Sequence, residues 1–275
     1  MPARALRRHA AAVAAALCLA LASDGSASKA SSALREAAIL ESEGRVQDAE
    51  ASLRRLLDSE GARGRHPAVL LALARLTPSL DESIALAREV IENTRDAELL
   101  AGAHALRGDL LYALGSYAEA AVEYEAATAG GSAEARRDAA FKRGTCLLAA
   151  GDATAAEKAL RSAAADARDD DVPWIELGVA RSMMAQGRHD AAAIEFERIA
   201  AAHPNHGARP GALSGAAEAH EAAGNLDGAV AALTTLLGEY PESYEATLGR
   251  ERLRALAVAD TAAAAPPDSS ALPTP

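Results

Sequence analysis

The stretch AGAHALRGDLLYALGSYAEAAVEYEAATAGG, residues 101–131, reads as two short helices folded back on each other. Its first half carries Gly108 and Leu111 three residues apart, and the chain turns at Gly115. The second half carries Tyr117, Ala120, Tyr124 and Ala127, which fall on one face at helical spacing. Small residues at 108 and 120 let the two helices approach, and Tyr124 fills the space between them. Glycine at the turn accepts the positive φ that ends the first helix. Working outward, Gly44, Gly115, Gly151, Gly187 and Gly224 each precede an alanine five residues on: Ala49, Ala120, Ala156, Ala192 and Ala229. Successive intervals are 71, 36, 36 and 37 residues, the first being two periods. A fixed period of this size marks an array whose members bury their apolar faces only against their neighbours.

The next repeat gives Gly144, Leu147, Gly151, Ala156, Leu160 and Ala163. Two more give Ala180, Met183, Gly187, Ala192, Phe196 and Ile199, then Ala217, His220, Gly224, Ala229, Leu233 and Leu236. Pro204 and Pro241 each fall 17 residues after their turn glycine and stop the second helix, since proline lacks an amide donor and restricts the residue before it. The N-terminal part is looser but in phase. Ala37, Leu40, Gly44, Ala49 and Leu53 make a first repeat; a second has Leu71, Ala74, Ser83 and Ala87, with Pro78 where glycine is expected. Ser79-Leu80-Asp81-Glu82 has capping-box spacing, so a helix starts there.

This ladder of small, large, turn glycine, small and large resembles the tetratricopeptide repeat. The resemblance covers about 210 residues. The stretch Leu237–Ser243 followed by Ala246 is similar to a variant found in bacterial exported envelope members, whose repeats close with a Tyr-Pro-x-Ser turn. Few aromatics (3%), abundant Ala and Leu and the lack of period-two alternation agree on an all-α chain. The expected architecture is an α-solenoid of about six helix pairs, residues 30–241 (30–62, 63–96, 97–131, 132–168, 169–206, 207–241). A capping helix at 242–258 and a disordered Ala/Pro-rich tail at 259–275 follow.

Residues 1–29 read as a signal peptide and short linker. Arg4, Arg7 and Arg8 precede an apolar run from Ala10 to Ala22, with small residues offering cleavage after Ala22 or Ala27. The run of 13 residues is shorter than the roughly 20 that span a bilayer, so export to the periplasm is expected, with an uncleaved inner-membrane anchor as the alternative. Ala15 and Leu17 do not fit a lipid-attachment box around Cys18. Removing residues 1–22 takes three of the 28 basic residues and no acid, leaving 25 against 39 acidic residues and a net charge of −14. Such a body disfavours nucleic acid and anionic lipid as partners. Cys146 alone remains, so no intramolecular disulfide forms, and its place within a helix makes it a packing thiol.

No catalytic residue, cofactor or metal site is expected. His189, His203, His206 and His220 lack the convergence a zinc site needs. Asp169, Asp170 and Asp171 precede Val172-Pro173, where acids favour a helix N-terminus. No phosphate loop, nucleophile elbow or paired-cysteine motif appears. The family resemblance implies a concave groove lined by residues three before, and one and four after, the small residue of each first helix. Those places hold Asp109 and Tyr112; Phe141, Thr145 and Leu148; Leu177, Arg181 and Met184; and Glu218 and Glu221, with Trp174 one turn earlier. The expectation is a non-catalytic envelope adaptor that docks a protein or peptide segment between Tyr112 and Met184, the acidic end at Glu218 and Glu221 favouring a positive rim on that partner. Neither nucleic acid nor a small-molecule substrate is implied. The alternatives are a self-assembling scaffold, or a regulatory subunit of an envelope enzyme or translocation machine.

Overall fold

A computed structural model describes residues 25–263, and all regular structure in them is helical. The helices pair in chain order: α1 (Gly25–Ser42) with α2 (Val46–Glu60), α3 (Pro67–Leu76) with α4 (Leu80–Asn93), and α5 (Ala97–Ala113) with α6 (Tyr117–Ala127). Then come α7 (Ala133–Ala149) and α8 (Ala153–Ala165), α9 (Val172–Ala185) and α10 (His189–Ala202), and α11 (Arg209–Ala223) and α12 (Leu226–Glu239). Among the described residues the last helix, α13 (Tyr244–Ala263), has no second member. Six pairs and a closing helix match the expected all-α array. The array begins earlier than expected, because α1 takes in residues 25–29 that were read as linker. At the other end α13 takes in residues 259–263, which were expected to begin the tail. Candidate cleavage after Ala22 and the tail beyond residue 263 lie outside the described residues.

Local chemistry explains the boundaries. All five turn glycines have φ between +74° and +88°. At Gly224 the left-handed residue lets its own amide reach the Glu221 carbonyl and that of Asn225 the His220 carbonyl, which closes α11. Where Pro78 replaces glycine, the chain leaves α3 extended at Thr77 and re-enters helix at Ser79, whose hydroxyl accepts from the Glu82 amide at 3.3 Å. The Glu82 carboxylate does not complete the capping box but takes Arg54 of α2 (2.8 Å) and the Thr77 hydroxyl (3.0 Å). α10 and α12 end at Ala202 and Glu239, just before Pro204 and Pro241.

The chain divides into an N-terminal body ending at Cys146 and a C-terminal body beginning at Leu147, the boundary falling within α7. In the N-terminal body each helix packs on the next from α1 to α6, and the first helices also touch one another, α1 with α3 and α3 with α5. Leu53, Val69, Leu70, Leu71 and Leu73 are buried in its core. Tyr124 is buried with its ring against Gly108, where an added Cβ would sit 2.8 Å from the ring. The C-terminal body repeats this device one helix later. Buried Leu160 meets Gly178 and buried Phe196 meets Gly215, each on the first helix of the following pair, with an added Cβ at 2.9 and 2.5 Å. Leu233 packs on Gly249 of α13 in the same manner. Each such side chain contributes roughly 1.5–3 kcal/mol by leaving water.

One buried carboxylate ties three helices of the C-terminal body together. Glu157 of α8 accepts from Gln186 (2.7 Å) and Arg188 (2.9 Å) at the α9–α10 turn and pairs with Arg161 (2.8 Å). Burial pushes its carboxyl up, but the bonds from Gln186 and Arg188 and the charges of Arg161 and Arg188 outweigh that and hold it below the ordinary value. A depressed carboxylate gives stability that is present above the ordinary value of 4.5 and is lost as pH falls through its folded value. Thermal melts of Glu157→Gln are therefore expected to lie below wild type at neutral pH, by about 1–2 kcal/mol, and to converge on it in acid. A parallel failure of both proteins to converge would assign the acid loss elsewhere. Gly215→Ala should cost about 1–3 kcal/mol by overpacking Phe196. Gly238→Ala, in a helix with nothing near its added Cβ, should instead stabilise by a few tenths to about 1 kcal/mol; denaturant midpoints check the opposite signs.

Candidate partner-binding surface

Among the described residues first helices touch one another within each body, α1 with α3 and α3 with α5 in one, α9 with α11 and α11 with α13 in the other. The expected groove residues fall on both bodies. Asp109, Tyr112, Phe141 and Thr145 belong to the N-terminal body; Leu148, Trp174, Leu177, Arg181, Met184, Glu218 and Glu221 belong to the C-terminal body.

In the N-terminal body Tyr112 is half exposed (50%) and rests edge-on against Tyr117, ring centres 5.3 Å apart. Asp109 is exposed but committed. One carboxylate oxygen accepts the Tyr124 hydroxyl at 2.6 Å and the Lys142 ammonium at 2.9 Å, while Lys142 also pairs with Asp138 (3.1 Å). Burial, then the bond to Asp109 and its charge, push the Tyr124 phenol far above its ordinary value, so it remains a donor. Phe141 is half-buried, and the Thr145 hydroxyl is spent on the carbonyls of Lys142 (2.8 Å) and Phe141 (3.3 Å) of its own helix.

In the C-terminal body Trp174 is 47% exposed, with its ring edge-on to His206 at 5.6 Å. Arg181 is exposed, and Leu148 and Met184 are half-buried. Leu177 is corrected from surface to core: it is 2% exposed, because Gly211 of α11 lacks a side chain and leaves a space that Leu177 enters. At the acidic end, Arg252 of α13 donates to Glu218 at 2.6 Å and lies 3.5 Å from Glu221, so one cation faces two carboxylates and one negative charge remains.

The sequence reading missed Arg75. It stands on α3 four places after Leu71, as Tyr112 stands four places after Gly108. A large Leu71 in the small residue's place, and Pro78 in the glycine's, hid that register. Its guanidinium reaches α5 where Gly102 offers no side chain, 3.4 Å from where a Cβ would lie. Loss of hydration pulls Arg75 below its ordinary value, with Glu41 and Asp109 pushing the other way. Its surface is open to solvent, so this is not a core cation. Between α2 and α4 lies a cavity of about 920 Å³, lined in part by Arg54, Arg65, Leu73, Glu82 and Glu89. Two of its three arginines are paired, Arg54 with Glu82 and Arg65 with Glu89, and the third is Arg88.

The histidines have separate partners: His203 lies 3.6 Å from Glu176, His206 reaches the Asp170 carbonyl at 3.0 Å, and His220 meets Glu197 at 2.8 Å. Among the described residues no group of three or more His, Cys, Asp or Glu converges as a metal site would require, and no helix is long and apolar enough to cross a membrane.

The repeated helix pairs agree with sequence comparison. The profile described as a tetratricopeptide repeat-like domain matches residues 3–145, and that of the tetratricopeptide repeat matches residues 147–217 and 183–249. The chain belongs to the tetratricopeptide repeat family. No curated protein matches it. Among solved structures, a tetratricopeptide repeat protein from Parabacteroides merdae ATCC 43184 is 16% identical, with 86% of this chain and 90% of that one covered and a TM-score of 0.64. PilW, described as a widely conserved type IV pilus biogenesis factor, is 21% identical over 82% and 99%, with a TM-score of 0.58. YrrB, described as a repeat protein with an unusual peptide-binding site, is 18% identical over 72% and 97%, with a TM-score of 0.54. At these identities the likeness is one of fold. Members of such a family act as protein-interaction scaffolds.

Cys146 is buried, and desolvation, followed by the charge of Asp109, pushes its thiol up to about 11. It should resist a thiol reagent in buffer and react fully in denaturant; rapid labelling of the native protein would place it on the surface.

Proposed function

We propose that this tetratricopeptide repeat protein is a non-catalytic adaptor of the bacterial cell envelope, which docks partner segments on the inner faces of its first helices. The observation that carries this reading is the half-exposure of Tyr112 and Trp174 on those faces. In a chain with only 3% aromatics, two large rings left in contact with water on first helices are the natural anchors for a partner. Tyr112 serves the N-terminal body and Trp174 the C-terminal one. Arg252 offsets one of the two charges of Glu218 and Glu221, so a partner's positive rim at that end would meet a single net negative charge.

The envelope assignment rests on the N-terminal basic and apolar runs and is consistent with the fold likeness to PilW. Cleavage after Ala22 would leave α1 whole, whereas cleavage after Ala27 would remove its first residues. The second reading, an uncleaved anchor, is favoured by one observation. The family profile begins at residue 3 and so includes the apolar run within the domain. N-terminal sequencing of protein from fractionated cells decides between them: a start at Ser23 in the soluble fraction supports export with cleavage, and an intact N-terminus in the membrane pellet supports the anchor.

Partner recovery from envelope extracts tests the adaptor itself. Tyr112→Ala or Trp174→Ala should each weaken retention of a partner that uses that body by on the order of 2 kcal/mol, while Lys158→Ala, at an exposed position of α8, leaves it unchanged. Full retention by both aromatic variants would move binding to another surface.

A further inference from the structure

Arg75 differs from its neighbours on the inner face of the N-terminal body. Lys142 is held by Asp109 and Asp138, and Asp109 is filled by Tyr124 and Lys142. Arg75 sits between Glu41 and Asp109 at a distance where both act on it, yet among the described residues it has no hydrogen-bond or ion-pair partner. A guanidinium always carries its charge and offers five donors in a planar fork. Here it lies along Gly102, where α5 presents bare backbone, and it stays open to solvent with no acceptor from the described residues. Such a group is free to take a flat, bidentate acceptor from a partner.

We propose that Arg75 receives a carboxylate side chain of the docked partner segment, fixing its register, while Tyr112, one repeat further on, takes an apolar or aromatic residue of the same segment. This rests on the inner-face docking proposed above and specifies its chemistry. The chain as a whole has a net charge of −11, so a run of acids or a polyanion is repelled before it arrives. The complementary partner is therefore a peptide with an isolated Asp or Glu in an otherwise uncharged, apolar context. Nucleic acid and polyacidic tails do not meet that description.

The test is selection of random linear peptides on the full chain, followed by affinity measurement on wild type, Arg75→Gln and Tyr112→Ala, each first shown by its melt to be folded. Selected peptides are expected to share one acid near an apolar or aromatic residue. Changing that acid to its amide should weaken binding to wild type about tenfold and leave binding to Arg75→Gln unaltered, since the coupling exists only when both groups are present. Panning on Arg75→Glu should replace the acid by Lys or Arg. The proposal is overturned if the acid-to-amide change costs as much on Arg75→Gln as on wild type, or if the selected peptides carry no shared acid. Should those peptides still depend on Tyr112, the docking face stands and only the role of Arg75 falls. Peptides indifferent to both residues, or no enrichment at all, would overturn the docking face itself.

Discussion

From α5 onward the molecule depends on how closely a bulky side chain on a second helix can approach a glycine on a first helix or on the closing helix. Tyr124 against Gly108, Leu160 against Gly178 and Phe196 against Gly215 leave no room for even a methyl group. Because dense packing is what holds an interior together, these contacts fix the distance between helices. The rest follows from that distance: alanines suffice elsewhere in the core, and the chain is stable with few aromatics. Side chains from successive first helices meet, as where Lys142 of α7 reaches Asp109 of α5. The device also alternates. In the N-terminal body the glycine stands within the same pair, and in the C-terminal body it stands in the next. The large residue is thus a pin within a repeat in one case and between repeats in the other.

Charge is managed by the same economy. In each body one cation is shared by two carboxylates: Lys142 lies between Asp109 and Asp138, and Arg252 between Glu218 and Glu221, which halves the local acidic charge. Such exposed pairs add little stability. Their effect is to leave the aromatic rings and Arg75 as the features that a partner meets, and so to shift recognition from bulk charge to particular contacts.

The fold was legible because its signals are local. Gly44, Gly115, Gly151, Gly187 and Gly224 all adopt the left-handed turn that their spacing required, and the prolines end the helices they follow. Ser79 caps a helix even where Pro78 breaks the pattern. The surface was less legible because its chemistry is decided across helices. Leu177 occupies a surface place by register, but Gly211, 34 residues away, opens the core to it. Glu218 and Glu221 read as a free acidic pair until α13 brings Arg252 beside them. Arg75 was hidden by a register that Leu71 and Pro78 blur, although counting four places from Leu71 would have found it.

The position of Trp174 has a spectroscopic consequence. It is the one tryptophan in the chain, half in water and half against the imidazole of His206. Intrinsic emission excited at the indole band therefore reports on a single place in the C-terminal body, without labelling. A segment that settles over the ring changes the colour and yield of that light, and a segment that settles on the N-terminal body does not. The protein thus carries its own optical distinction between its two halves.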